Sequence, residues 1–166
     1  LLFNETGRLK EAEEAYLEAR RRQQELITRF TGSISYRTEL ATTHNALGSL
    51  FRETGRPQEA EKSFADALAI QQQLADEFPA RPEYQMDLAI THNNLGNSLR
   101  DEGKVKEAEQ SYLQVLEIQQ QLVAADASNL DYRHALSTGY QNLGRWYRDA
   151  GRLADAEAAF DKALSL

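Results

Sequence analysis

Apolar residues recur every three or four positions along most of the chain. Between residues 84 and 99 one such series is Tyr84, Leu88, Leu95 and Leu99, with His92 at the intervening position. Residues at this spacing share one face of a helix. A second run of the same kind extends from Ala108 to Leu122, and Gly103 lies between the two runs. The pattern predicts two antiparallel helices joined by a short turn, in which Gly103 adopts the left-handed conformation that ends a helix.

This pattern repeats every 48 residues. Five ladders share the spacing: Gly7, Gly55, Gly103 and Gly151; Gly48, Gly96 and Gly144; Tyr36, Tyr84 and Tyr132; Leu40, Leu88 and Leu136; Leu26, Leu74 and Leu122. Such regularity indicates a tandem repeat. We expect a single array over residues 1–166, with a partial repeat at 1–30, full repeats at 31–78 and 79–126, and a last repeat at 127–166.

The repeats predict an all-α fold without strands. Helices are expected at residues 9–29, 34–53, 57–76, 82–101, 105–125, 130–149 and 153–165. Residues 1–5 are expected to be the tail of an eighth helix whose start is missing, and Gly7 lies between this tail and the helix at 9–29. The chain would then be a piece of a longer protein.

Gly96 lies inside a predicted helix, where a glycine costs about 1 kcal/mol relative to alanine. Its recurrence in each repeat therefore predicts a packing role. We expect two helix backbones to approach closely there, next to a small residue such as Ala108. The bulky Tyr112 would fill the space one turn later, beside the crossing.

Composition and charge argue against nucleic acid and membranes as partners. The chain has 19 basic and 26 acidic residues, a net charge of -7, and no cysteine. An acidic protein is a poor match for nucleic acid, and no run of about 18 apolar residues predicts a membrane span. We therefore expect neither kind of partner. The absence of cysteine agrees with a cytoplasmic protein.

The repeat residues resemble the tetratricopeptide signature. Tyr140, Leu143, Gly144, Tyr147, Ala156 and Phe160 match its aromatic, Leu-Gly, aromatic, Ala and aromatic pattern. The resemblance implies an α-solenoid, a right-handed superhelix of antiparallel helix pairs. The family's usual unit is 34 residues, so the helices here should be longer. The HNNLG segment is similar to kinesin light chain repeats and to arrays attached to signalling kinases of bacteria such as planctomycetes.

The inner face of the predicted array is the candidate site. Leu47 points to the core, and a residue two positions away lies about 200° around the helix. Three parallel stripes result, and the candidate peptide-binding residues on them are Asn45, Ser49, Arg52, Asn93, Asn97, Arg100, Gln141, Arg145 and Arg148. Amide side chains both donate and accept hydrogen bonds, as a peptide backbone requires. In similar family members, groove asparagines hold a peptide backbone or a terminal carboxylate.

Two readings of these stripes stay open. The amides could instead bridge neighbouring helices or face solvent. Arg52, Arg100 and Arg148 lie in a last helical turn, where a cation is stabilised by the helix dipole. Together with Arg145 they would also favour an acidic partner. The lysines of carboxylate-clamping members do not occur on these stripes, so capture of a chain terminus is not expected.

No catalytic, metal or cofactor site is predicted. His44 and His92 are expected to be packed interior residues, because neighbouring helix axes lie about 8–10 Å apart and two imidazoles would not share one ion. The chain has no thiol, and no phosphate-cradling glycine loop. The leading hypothesis is a non-enzymatic scaffold that holds a peptide or protein segment in its concave groove. The alternative is a structural spacer or end-to-end self-association module of a larger signalling protein, such as a bacterial serine/threonine kinase.

Overall fold

A computed structural model describes residues 2–166, with the side chains of residues 7–166. Its helices are α1 (Leu2–Arg29), α2 (Ile34–Glu53), α3 (Pro57–Glu77), α4 (Pro82–Asp101), α5 (Val105–Ala125), α6 (Leu130–Asp149) and α7 (Leu153–Leu164). Residues 2–166 contain no strand. The predicted all-α fold is confirmed, and α2 to α7 begin and end within one residue of their predicted positions.

The first helix differs from the prediction. It runs from Leu2 through Gly7 without a break, whereas the glycine ladder predicted a helix end at Gly7. Residues 2–6 are too few to form a stable helix of their own. Continuing through a glycine costs only about 1 kcal/mol. The expected tail of an eighth helix is therefore part of α1, except for residue 1, which lies outside the described residues.

The short turns within the helix pairs have the predicted left-handed glycines. Gly103 has a φ of 74°, and Gly55 and Gly151 have φ values of 71° and 75°. The backbone N–H of Lys104 then donates to the carbonyl of Leu99 at 2.9 Å. This bond satisfies one of the carbonyls that a helix end leaves without a partner. The turn reverses the chain, so the two helices of a pair are antiparallel.

The chain divides into two compact units, residues 1–79 and 80–166. In the first unit α2 packs against α1 and α3, and Leu47, Ala60 and Phe64 have no exposed surface. In the second unit α5 packs against α4 and α6, and α6 also packs against α7. Tyr112 and Trp146 are buried in its core.

The glycines inside the helices make room for aromatic rings. A Cβ on Gly48 would lie 2.6 Å from the ring of Phe64, and one on Gly96 would lie 3.0 Å from the ring of Tyr112. These contacts agree with the predicted packing role of the glycines, but the ring, which was expected one turn away, lies against the glycine itself. The atoms nearest to the glycine belong to the ring and not to a second backbone. The aromatic side chain can lie on the glycine because glycine has no Cβ. A Cβ would overlap with the ring at Gly48 and would make a tight contact with it at Gly96.

Candidate functional site, an amide-lined apolar cavity

An apolar cavity of about 250 Å³ opens in the second unit between α4 and α6, with α5 as its floor. Its apolar walls include Met86, Ala89, Ile90, Val115, Leu122 and Ala135. No Asp, Glu, Lys, Arg or His from the described part of the chain lines it. A concave, mostly apolar surface with a few polar groups is the usual form of a ligand site.

The α4 wall of the cavity includes Asn93, one of the predicted site residues. Met86, Ile90 and Asn93 are spaced by four and then three residues, so one face of α4 carries all three into the cavity. Ile90 keeps 51% of its surface exposed. A half-exposed isoleucine at the mouth of an apolar cavity would gain from being covered, because apolar surface removed from water is stabilised.

Two amides join the helices that flank the cavity. The Nδ2 group of Asn142 on α6 donates to Oδ1 of Asn93 on α4 at 2.9 Å. Among the described residues, Nδ2 of Asn93 and Oδ1 of Asn142 have no further hydrogen-bond partner. The pair therefore offers one donor and one acceptor at the wall of the cavity, the same two groups that a peptide unit presents.

A third amide lies at the floor. Oε1 of Gln119 is buried and accepts no hydrogen bond from the described residues. Gly139 makes this arrangement possible, because a Cβ at that position would overlap with Oε1 of Gln119. A buried acceptor without a partner costs about 1–3 kcal/mol.

The other predicted α4 residues have local partners. Oδ1 of Asn97 accepts a hydrogen bond from the hydroxyl of Tyr112 at 2.8 Å, so this amide is turned toward α5. Arg100 forms an ion pair with Asp101 at 3.2 Å. Neither residue lines the cavity. Of the three α4 candidates, only Asn93 lies in its wall.

The predicted α6 residues lie elsewhere. Gln141 and Arg145 are exposed, and they line a separate hollow with Phe160 on α7. Arg148 is exposed and pairs with Asp149 at 3.2 Å. The structure therefore does not bring the α6 candidates together with Asn93.

Sequence reasoning missed Asn142. It placed Asn93 and Gln141 on one ladder of 48, but the residue that meets Asn93 comes 49 positions later. Two first helices of successive repeats touch through different faces, about 100° apart, so the contact joins unlike positions of the repeat. The signal in the sequence was the adjacent polar pair at 93–94 and again at 141–142.

In the first unit, Asn45, Ser49 and Arg52 lie on α2 and are half-buried. None of the three lines the polar cavity found among the described residues of this unit. Their role as groove residues stays a prediction.

The histidines have different surroundings. His44 is buried, and its Nδ1 lies 3.8 Å from Oδ2 of Asp66. Burial lowers the pKa of His44 and also that of His92, which is half-buried. His134 is exposed. Within the described residues, no group of three or more His, Cys, Asp or Glu side chains could hold a metal ion.

No helix formed by the described residues combines enough length with enough apolar character to cross a bilayer.

The chain is similar to known proteins in sequence and in structure. The family model described as tetratricopeptide repeat matches residues 1–73 and 87–166. Comparison with curated protein sequences gave no significant match.

Among solved structures, BtubC (BKLC) from P. vanneervenii is 26% identical, with a TM-score of 0.70. The similarity covers 99% of this chain and 58% of BtubC, so this chain spans little more than half of that protein. A Podosopora anserina protein described as a kinesin light chain with nearly identical TPR-like repeats is 16% identical, with a TM-score of 0.43, over 95% of this chain and 93% of its own. MamA is 18% identical, with a TM-score of 0.39, over 94% and 91%.

Proposed function

Since the chain belongs to the tetratricopeptide repeat family, we propose that it is a protein-interaction module that holds an extended segment of a partner protein and performs no catalysis. The observation that carries this proposal is the cavity between α4 and α6, where apolar walls surround the amide pair of Asn93 and Asn142. Apolar walls supply affinity, and the few polar groups orient what binds.

An extended segment suits this site for a physical reason. Its successive side chains point to opposite sides, so one apolar side chain can enter the cavity while its neighbours stay in water. The backbone next to that side chain then lies beside Asn93 and Asn142. Its carbonyl accepts from Nδ2 of Asn93, and its N–H donates to Oδ1 of Asn142.

The chemistry of the cavity also bears on the charge of the partner. The cavity wall is uncharged, whereas Arg100 and Arg148 already pair with Asp101 and Asp149. Exposed ion pairs of this kind are weak, so an acidic residue of the partner could exchange for the aspartates. We propose that the apolar side chain provides most of the affinity, and that acidic flanking residues only add to it.

The test is a selection of binding peptides from a random library, followed by affinity measurements on the selected peptides. Ile90→Glu places a charge at the mouth of the cavity. Val105→Glu is the matched control, because Val105 is 52% exposed, Ile90 is 51% exposed, and Val105 does not line the cavity. We expect Ile90→Glu to weaken binding about tenfold or more, which corresponds to about 1.4 kcal/mol, while Val105→Glu binds as the native protein does.

Two results would contradict the proposal. Selected peptides that bind Ile90→Glu as tightly as the native protein would place the interface outside the cavity. A selection without any enriched apolar position would remove the role of the apolar walls.

A further inference from the structure

A polar cleft of about 420 Å³ opens in the first unit between α1 and α3, with α2 as its floor. Its lining includes three hydrogen-bonding side chains, Arg20 on α1, His44 on α2 and Ser63 on α3. The cleft shares none of its residues with the apolar cavity of the second unit. The function proposed for that cavity therefore does not explain the polar residues of this cleft.

The second unit contains a matched cleft of about 330 Å³ between α5 and α7, with α6 as its floor. Most of its lining residues correspond to lining residues of the first cleft at an offset of 96, which is two repeats. The second unit thus provides an internal control. Features that both clefts share belong to the repeat, and features present in only one require a separate cause.

An arginine frame is common to both clefts. In the first, Arg56 bonds Glu13 and Glu59 at 2.6 Å and lies 4.3 Å from the centre of the Phe51 ring. In the second, Arg152 bonds its two carboxylates, on Glu109 and Asp155, at 2.7 and 2.6 Å, and lies 4.3 Å from the ring of Tyr147. The frame joins neighbouring helices in both units, so it is structural.

The floors of the two clefts differ. In the second unit, the hydroxyl of Tyr140 accepts a hydrogen bond from Gln120 at 2.8 Å. His44 takes the place of Tyr140 in the first unit. Its side chain is 6% exposed, and its Nδ1 has no hydrogen-bond partner in the described residues. A buried polar atom without a partner is a costly arrangement, and the side chain that carries this one lines the cleft.

Two residues in the walls of the clefts also differ. Arg20 occupies the position of the buried Leu116, and Ser63 occupies that of Ala159. These two apolar residues of the second cleft are therefore replaced by hydrogen-bonding ones in the first, whereas Lys162 is replaced by Asp66. Together with His44 these two residues could hold an anion, because arginine, serine and a neutral imidazole all donate hydrogen bonds.

The charges of the cleft leave one cation unused. Glu13 and Glu59 are bound by Arg56. Lys62 pairs with Asp66 at 3.0 Å. Arg20 forms no ion pair with any described residue. Its guanidinium is thus the free partner for a negative group that enters the cleft.

We propose that this cleft binds the carboxylate of a small organic acid, with Arg20 as its counter-ion and Ser63 and His44 as hydrogen-bond donors. Leu17 and Phe51 in the same lining would contact the apolar body of the acid. A monoanion is favoured over a dianionic phosphate because the Asp66 carboxylate lies 3.8 Å from Nδ1 of His44. Repulsion between like charges at such distances grows with the charge of the ligand.

The surroundings of His44 suit a hydrogen-bonding role. Burial lowers its pKa, and the charges of Arg20 and Lys62 lower it further against the opposing effect of Asp66. The imidazole is therefore neutral at pH 7, and a neutral ring has one N–H to donate. A carboxylate bound beside it would stabilise the protonated form and raise the pKa.

The test is a titration followed by NMR of the histidine ring signals, of which the chain has three sets. The probe is butyrate, and butyramide is the neutral molecule of similar shape. Butyrate should shift the His44 signals to saturation and leave those of His134 unmoved, whereas butyramide should have no effect. Unshifted His44 signals in the folded protein would overturn the proposal.

Two variants separate the site from general charge effects. Arg20→Leu installs the residue of the matched cleft, and Arg22→Leu removes an arginine that is 69% exposed and outside the cleft. We expect Arg20→Leu to weaken butyrate binding about tenfold or more, as loss of a charge-assisted hydrogen bond would, and Arg22→Leu to retain it. Equal binding by Arg20→Leu would overturn the proposal. Stronger binding of inorganic phosphate than of butyrate would overturn the assignment to a carboxylate.

Discussion

Asn93 and Asn142 lie 49 positions apart in the sequence and are joined by a hydrogen bond of 2.9 Å between their side chains. The bond connects α4 with α6, whereas all of α5 separates them along the chain. It lies in the wall of the apolar cavity. The geometry of the candidate site thus depends on a contact between first helices of successive repeats.

Replacement of Asn142 should affect both stability and binding. Asn142→Ala removes the bond to half-buried Asn93, and we expect the free energy of unfolding to fall by about 0.5–1.5 kcal/mol. Partner peptides should also bind more weakly, because an acceptor is lost from the cavity wall. Urea unfolding and fluorescence polarisation measure the two effects. Gln141→Ala is the control, since Gln141 is exposed and outside the cavity, and an equal loss in that variant would contradict the role of Asn142.

The glycines beneath the aromatic rings should respond to substitution in a definite order. A Cβ on Gly48 would lie 2.6 Å from Phe64, and one on Gly96 would lie 3.0 Å from Tyr112. Overpacking costs about 1–3 kcal/mol, whereas removal of a helical glycine returns about 1 kcal/mol. We expect Gly48→Ala to be clearly destabilising and Gly96→Ala to be less so. Chemical denaturation of both variants checks this order, and a stabilised Gly48→Ala would show that Phe64 moves aside freely.

The pair of Tyr112 and Asn97 is suited to a double-mutant cycle. Their hydrogen bond is 2.8 Å long, and Tyr112 is 2% exposed. The preceding repeat has Phe64 and Ser49 at these positions. We expect Tyr112→Phe to cost about 0.5–1.5 kcal/mol.

The double variant Tyr112→Phe with Asn97→Ser should cost less than the sum of the single changes, because it removes both partners of the bond. Strictly additive free energies of unfolding would mean that the two side chains do not interact in solution.

Acidification should destabilise the folded chain through its buried histidines. Burial lowers the pKa of His44 and His92 below the ordinary value of 6.5. Just below pH 6.5 the two histidines therefore bind protons in the unfolded chain more readily than in the folded chain. The contribution to stability is therefore complete above pH 6.5 and is lost as the pH falls through the folded pKa values.

Urea unfolding at several pH values between neutrality and mild acid measures this loss. His44→Tyr, which has the residue of the matched position at Tyr140, should lose less stability than the native protein over the same range. His134→Gln should behave as the native protein does, because His134 is exposed. A native unfolding free energy that does not change over this range would contradict the prediction.

The sequence by itself determined where the helices lie and how they are joined. Apolar spacing and turn glycines act within a few residues, so local rules were enough to place α2 to α7 and the left-handed conformation of Gly103. The 48-residue ladders also identified the glycines that packing requires. These features repeat because the same types of residue occur at the same positions of each repeat.

Only the tertiary structure decided which side chains meet. The 48-residue spacing predicted that Asn93 lies beside Gln141. The rotation of the helices brings Asn142 into contact with Asn93 instead. The ladder predicted a helix end at Gly7, but no packed turn forms there and α1 continues. Likewise, the sequence alone did not reveal that Arg20, His44 and Ser63 come from three helices to line one cleft. Such contacts depend on the rotation and separation of whole helices, which a pattern along one chain does not contain.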